Sequence, residues 1–241
     1  MESIKATLWI YRTALRRSLR LIAANPGIVF APLAYSVLLF AGGVALAPVR
    51  LIGGLLLTAL VAACVSSGLY LLDNMLRMGK ADLKDFVRGF SVYLGDVLTI
   101  AFILWVPMLL LSRVAQTTPQ GPFILAAAQF LLYVFLNPVP ELIYQGRASG
   151  LALLAASYQF IVANWVEWFV PNVALTAAGY LVLRALAAAA SGLPFLLDSL
   201  LVWLASGVFL AFLMLFRGVL FADLRDTTRR GRLFRYRSRA E

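Results

Sequence analysis

The sequence predicts an all-α integral membrane protein with six transmembrane helices and both ends in the cytoplasm. Three observations lead there. First, 62% of the 241 residues are hydrophobic and only 13% are charged, with a mean hydropathy of +0.89. Soluble domains run at about 45–50% apolar and about 25% charged residues. No water-soluble fold could hide this much apolar surface, whereas a bilayer accepts it as solvent-facing. Second, the apolar residues gather into stretches of the length needed to cross a bilayer, about 20 residues each. Third, the basic residues fall between these stretches in a strongly uneven pattern.

The apolar stretches cover residues 26–47, 51–72, 92–111, 123–144, 165–186 and 193–215. They divide the chain into an interfacial segment (1–25), a six-helix membrane domain (26–222) and a basic cytoplasmic tail (223–241). The segment before the first span carries Lys5, Arg12, Arg16, Arg17 and Arg20. It is too long and too helical for the basic end of a cleaved signal peptide, so no processing is expected. The link between spans two and three holds Arg77, Lys80, Lys84 and Arg88, and the link between four and five holds Arg147. With Arg217 and the seven tail arginines from Arg225 to Arg239, one side collects 18 of the 21 basic residues. Only Arg50, Arg113 and Arg184 fall on the other. The positive-inside rule assigns the richer side to the cytoplasm. Only an even number of spans lets both basic ends share it.

Three segments outside the spans have amphipathic patterns. In the first, Ile4, Leu8, Tyr11, Leu15, Leu19 and Ile22 recur at helical spacing beside a strip of Arg12, Arg16 and Arg20, as in a helix lying at a membrane surface. In the second, Leu83, Phe86, Val87 and Phe90 share a face. The third covers 151–162 and ends at Asn164. Each reads as an interfacial helix or as an extension of the neighbouring span. The stretch from Ser18 to Asn25 is echoed from Ser157 to Asn164, and with the same offset Phe30 matches Phe169 and Pro32 matches Pro171. Two readings stand: three parallel repeats of an interfacial helix plus a two-span hairpin, or chance similarity in Ala/Leu-rich sequence.

The chemistry available is limited. There is no histidine and one cysteine, Cys64, in an apolar run. That rules out an internal disulfide and a His general base, and it argues against a metal centre built on His and Cys. No cofactor is expected. Charges in or near spans are the first functional suspects, because each costs about 2.5–3.5 kcal/mol or more at mid-membrane. Asp96, Glu141, Glu167 and Arg217 all fall toward the cytoplasmic ends of their spans. They form either a polar cluster in a cytoplasm-facing cavity or separate charges that reach the interface or pair structurally. The run Asn137-Pro138-Val139-Pro140 breaks the fourth span, since the two prolines remove two backbone donors. The carbonyls so freed need partners in lipid, and Asn137 stands where it could supply one locally. The basic residues Arg12, Arg16, Arg17 and Arg20, with Arg229, Arg230 and Arg232 in the tail, are expected at anionic lipid head groups rather than on nucleic acid.

Three motifs also carry a family resemblance: residues 18–33 (SLRLIAANPGIVFAPL), 82–93 (DLKDFVRGFSVY) and 137–164 (NPVPELIYQGRASGLALLAASYQFIVAN). They resemble the landmarks of a loose bacterial group of six-span proteins, similar to the membrane domain attached to some glycerophosphodiester phosphodiesterases. The resemblance implies the fold and an inner-membrane location. It implies no activity, because the phosphodiesterase chemistry of those fusions belongs to a separate soluble domain. The expected function is therefore a non-catalytic membrane protein: a scaffold, accessory subunit or lipid-organising factor, with a membrane-protein partner or as a homo-oligomer. The alternative is a small transporter or channel using the broken fourth span.

Overall fold

A computed structural model describes residues 2–146, 148–225, 227, 231, 234 and 238. The tail arginines Arg229, Arg230 and Arg232 lie outside the described residues, as does Arg147. Every element described is helical, and no strand occurs among the described residues. The helices are α1 (Glu2–Ala24), α2 (Ala31–Leu46), α3 (Arg50–Met78), α4 (Leu83–Val92), α5 (Leu94–Ala115), α6 (Gly121–Phe135), α7 (Val139–Gln145), α8 (Gly150–Ala190) and α9 (Phe195–Arg225).

Five stretches are long and apolar enough to cross a membrane: Pro26–Met78, Leu94–Ala115, Gly121–Gln145, Gly150–Ala190 and Leu197–Arg225. These make the chain a multi-pass membrane protein by length and composition. The first stretch is 53 residues long, too much for one span. It contains α2 and α3, which pack on each other. A short 3₁₀ turn, Ala47–Val49, separates them, and Arg50 takes a φ of 47° at the tip.

Local chemistry explains where the helices stop. Asn25, with φ −134° and ψ 60°, and the following Pro26 separate α1 from the 3₁₀ turn that leads into α2. Asn25 also ties that break to the rest of the fold. Its amide donates to Leu21 O at 2.8 Å and Gly79 O at 2.9 Å, and its Oδ1 accepts from Ala81 N at 2.9 Å. The helix α3 ends at Gly79, whose φ of 78° is left-handed and suits only glycine without cost. Asp85 starts α4 by accepting from Asp82 N at 2.9 Å. The third surface segment and the fifth span are one continuous run, α8, bent at Asn164, which is non-helical at φ −134° and ψ 20°.

Helices α1 and α4 dock on the protein by faces other than their leucines, whereas the third segment buries Leu153 with Phe160 and Ile161. Helix α1 buries Ala6, Ile10, Ala14 and Ser18, one residue per turn, and packs along α9. Its Leu8, Leu15 and Leu19 stay exposed, as do Arg12, Arg16 and Arg20. Helix α4 folds back along α3. There Ser66 Oγ donates to Gly89 O at 2.6 Å and Ser67 Oγ to Phe86 O at 2.7 Å. Phe86 stacks on Tyr35 of α2 at 5.2 Å, while Leu83 and Val87 face outward. The first half of α8 docks on the end of α6: Ser157 Oγ donates to Phe135 O at 2.6 Å, and Tyr158 lies 5.1 Å from the Phe135 ring.

The deepest packing lies in the second half of α3, in α7, in the first half of α8 and in the last third of α9. Met75, Tyr144, Leu153, Trp168, Leu215, Phe216, Leu220 and Phe221 are all buried there. The opposite halves of α3, α8 and α9 are largely exposed along their length.

Candidate functional site

The break in the fourth span stands at the centre of this packed end. Pro138 and Pro140 have no N–H, so α6 cannot run on as an α-helix. The helix closes at Phe135 and restarts as α7 at Val139. Each carbonyl across the gap has a partner. Leu136 O accepts from Val139 N at 3.1 Å, and Pro138 O from Leu142 N at 3.0 Å. Phe135 O accepts from Ser157 of α8. Asn137 O accepts from Arg217 Nη2 of α9 at 2.7 Å. The sequence left Asn137 as a residue that could supply a partner locally. The Asn137 side chain instead accepts from Trp168 Nε1 at 2.9 Å. Two of these carbonyls are met within the turn, and the other two, Phe135 O and Asn137 O, are met by side chains of α8 and α9.

Arg217 also meets Glu141. Its Nε donates to Oε1 at 2.7 Å and its Nη2 to Oε2 at 3.0 Å, a two-pronged pair. The guanidinium carbon lies 5.2 Å from the centre of the Trp168 ring, within cation–π range. The Glu141 side chain is 0% exposed and that of Arg217 15%. Two opposite charges, one bare carbonyl and an indole face thus neutralise one another inside the bundle.

Of the other two charges predicted for this cluster, Glu167 is buried on α8 next to Trp168. Its backbone carbonyl accepts from Tyr11 of α1 at 3.1 Å. That carbonyl has no α-helical donor because Pro171 stands four residues on. Asp96 is a correction. It lies half-buried in the first turn of α5 and makes no hydrogen bond or ion pair among the described residues. Its helix packs on α3, α4, α6 and α8. Equal depth in the sequence did not place Asp96 at the same angle around the bundle.

A cleft of about 420 Å³ opens beside the pair, lined by Tyr133, Asn137, Asn172, Thr176, Tyr180 and Arg217 among others. Arg217 lines it and Glu141 does not. Asn172 is 7% exposed; it donates to Trp168 O at 2.7 Å, and its Oδ1 is buried without a partner.

A second polar group, which the sequence did not single out, gathers where α3, α7 and α9 end. Arg77 Nε pairs with Asp73 Oδ1 at 2.6 Å, and Tyr93 OH donates to Asp73 Oδ2 at 2.9 Å. Arg77 Nη2 donates to Tyr144 O at 2.9 Å, and Gln145 Nε2 to Gly218 O at 2.9 Å. Arg225 donates to Gln145 O. Arg17, expected only at lipid head groups, donates to Leu76 O at 3.0 Å. The spacing of Asp73 and Arg77, one helical turn apart, was the available signal.

The chain matches no family model, no curated protein and no solved structure.

Proposed function

We propose that this chain is a non-catalytic protein of a bacterial inner membrane that acts as a scaffold, accessory subunit or lipid-organising factor, alone, as a homo-oligomer or with a membrane partner. In this reading it has six spans and both ends in the cytoplasm, as in the six-span group it resembles. The observation that carries it is the condition of Glu141. A relay or transport carboxylate needs water or cargo at its oxygens, whereas both oxygens of this one are held by Arg217 with no exposure. The pair is spent on closing a helix break. Support for six spans comes from α2 and α3, separate helices that pack on each other within one 53-residue apolar stretch. Support for a threefold unit comes from the docking of α1 on α9, α4 on α3 and the first half of α8 beside α7. In each case a lead-in helix lies on the span that precedes it in cyclic order.

Two experiments test this. Topology reporters fused after Arg50, Arg113 and Ala189 should read extracytoplasmic; a cytoplasmic signal after Arg113 overturns the six-span arrangement. Glu141→Gln should lower the thermal stability of the protein in mild detergent. A variant as heat-stable as the parent would remove the structural role assigned to Glu141.

The transport reading is favoured by one observation, the cleft beside Arg217 with the unpartnered Asn172 Oδ1. It requires water in that cleft. With Cys64→Ala as background, Thr176→Cys should react with a membrane-impermeant maleimide from the cytoplasmic side if the cleft is a water path, since only a hydrated thiol ionises and reacts. No labelling leaves the scaffold reading standing alone.

A further inference from the structure

We propose that the cleft between α6, α8 and α9 is the site of one uncharged glycerolipid with a free hydroxyl, of which diacylglycerol is the simplest. The proposal rests on the lipid-organising reading above and names the lipid. The cleft holds about 420 Å³, within the range of about 300–1,000 Å³ usual for small-molecule sites. Tyr133 of α6, Asn137 of the α6–α7 break, Asn172 and Thr176 of α8 and Arg217 of α9 line it.

The charge balance disfavours an ion. Among the described residues that line the cleft, Arg217 alone is charged. Its charge is already taken up by the two-pronged pair with Glu141. A phosphate or carboxylate entering here brings a charge that no lining residue offsets, in a region where unpaired charge is strongly disfavoured. An ammonium group meets no lining carboxylate. The cleft is therefore a place for uncharged hydrogen-bonding groups.

The unused groups of its floor define which ones. Arg217 spends Nε on Glu141 and Nη2 on Glu141 and Asn137 O. A guanidinium has five N–H donors, so the two on Nη1 remain. Asn137 accepts from Trp168 through Oδ1, and its Nδ2 has no partner among the described residues. Asn172 is the converse: its amide donates to Trp168 O, and its Oδ1 lacks a donor. Two residues thus offer donors and one offers an acceptor. A diacylglycerol has two ester carbonyls, which accept, and one hydroxyl, which donates. The esters take N–H groups of Arg217 and Asn137, and the hydroxyl donates to Asn172 Oδ1. These side chains are already fixed by their protein partners, which lowers the ordering cost of binding. A triacylglycerol or a quinone has carbonyls and no hydroxyl, so it leaves Asn172 unsatisfied. The rest of the cleft suits acyl chains. Phe169, Val173, Ala177 and Leu213 form an apolar wall, and the lining residues of α8 run from Phe169 to Tyr180, about 16 Å of helix. Tyr133 and Tyr180 are exposed at the rim, which leaves the cleft open to surrounding lipid.

The test uses the full chain in mild detergent and native mass spectrometry with added dioleoylglycerol, trioleoylglycerol, dioleoylphosphatidylglycerol or ubiquinone. The parent should retain one dioleoylglycerol per chain at concentrations where the other lipids are lost. Asn172→Leu should reduce that retention about tenfold, the equivalent of ~1.4 kcal/mol, and should remove the preference over trioleoylglycerol. Ala177→Phe fills the cleft by bulk from an exposed position and leaves the polar groups untouched. It should reduce retention by a similar factor, and it decides the matter if Asn172→Leu does not fold. Val182→Phe, exposed on the same helix outside the cleft, should leave retention within about twofold. Equal retention of dioleoylglycerol and trioleoylglycerol by the parent, or equal retention by Ala177→Phe and Val182→Phe, overturns the site. Tighter retention of phosphatidylglycerol makes it an anion site, and tighter retention of ubiquinone makes it a carbonyl site; either overturns the assignment to a hydroxyl-bearing glycerolipid. None of these outcomes touches the six-span arrangement, which fails by the reporter fusions, or the structural role of Glu141, which fails by thermal stability.

Discussion

Arg217 of α9 holds both carboxylate oxygens of Glu141 in α7, at 2.7 and 3.0 Å, while the same guanidinium caps the carbonyl of Asn137 at 2.7 Å. One side chain thus joins α9 to α7 and caps the break between α6 and α7. The arrangement answers the question that two prolines pose in an apolar span: where the freed backbone groups find partners.

Breaking this pair should be costly in a specific pattern. Removing one member of a buried pair leaves a lone charge, at about 3–5 kcal/mol. Glu141→Gln and Arg217→Gln should each lower the melting temperature in detergent by a similar amount. The double variant Glu141→Leu/Arg217→Met should recover much of the loss, because no charge is then stranded. Recovery should stay incomplete, since Asn137 O loses its donor in every Arg217 variant. Additive losses in the double variant would show that the two residues act separately.

Trp168 roofs the pair and donates to Asn137 Oδ1. Trp168→Phe keeps an aromatic face and loses the hydrogen bond, which should cost about 1 kcal/mol. Asn137→Ala should cost about the same, and the two together little more than either. Equilibrium unfolding in detergent–denaturant mixtures measures the coupling.

Gly89 is where α4 touches α3. A Cβ built there would lie 2.8 Å from Ser67 Cα, a backbone atom that cannot move aside cheaply. Gly89→Ala should therefore push α4 off α3 and weaken the Ser66 and Ser67 bonds to it, at about 1–3 kcal/mol. Faster hydrogen exchange over 83–92, with exchange in α9 unchanged, is the expected signature.

Asn25 makes three bonds at the break after α1, one back to Leu21 of α1 and two to the α3–α4 turn. Asn25→Ala strands Gly79 O and Ala81 N at once and should cost about 1–3 kcal/mol. Limited proteolysis near residue 25 should speed up; an unchanged digestion rate would mean that the docking of α1 on α9 holds the segment unaided.

Much of the fold is legible in the sequence because its signals are local. An asparagine beside a proline, or two prolines one residue apart, interrupts the helix ladder locally, so the breaks at Asn25-Pro26 and at 137–140 are found where the residues place them, whereas the single Pro107 and Pro171 stay inside α5 and α8. The bend at Asn164, where the third segment ends, is equally local. The amphipathic segments were legible as helices, but their docking faces were not. In α1 the leucines dominate any reading by hydropathy, yet the buried face is Ala6, Ile10, Ala14 and Ser18. Small side chains carry little hydropathy signal and allow the close approach to α9 that buries them.

The sequence by itself determined that the chain is an all-helical protein built for an apolar solvent, where its helices break, and how far along each helix every charge stands. Tertiary structure alone decided which charges meet. Hydropathy reports position along a helix; the angle around the bundle is set by packing. So Glu141 and Arg217, 76 residues apart, close on each other, Asp96 remains outside, and Trp168 and Asn137, neither of them charged, complete the site. The same reason hid the contacts of Arg17, Arg77 and Arg225: each is an exposed charge whose carbonyl partner on another helix no local pattern announces.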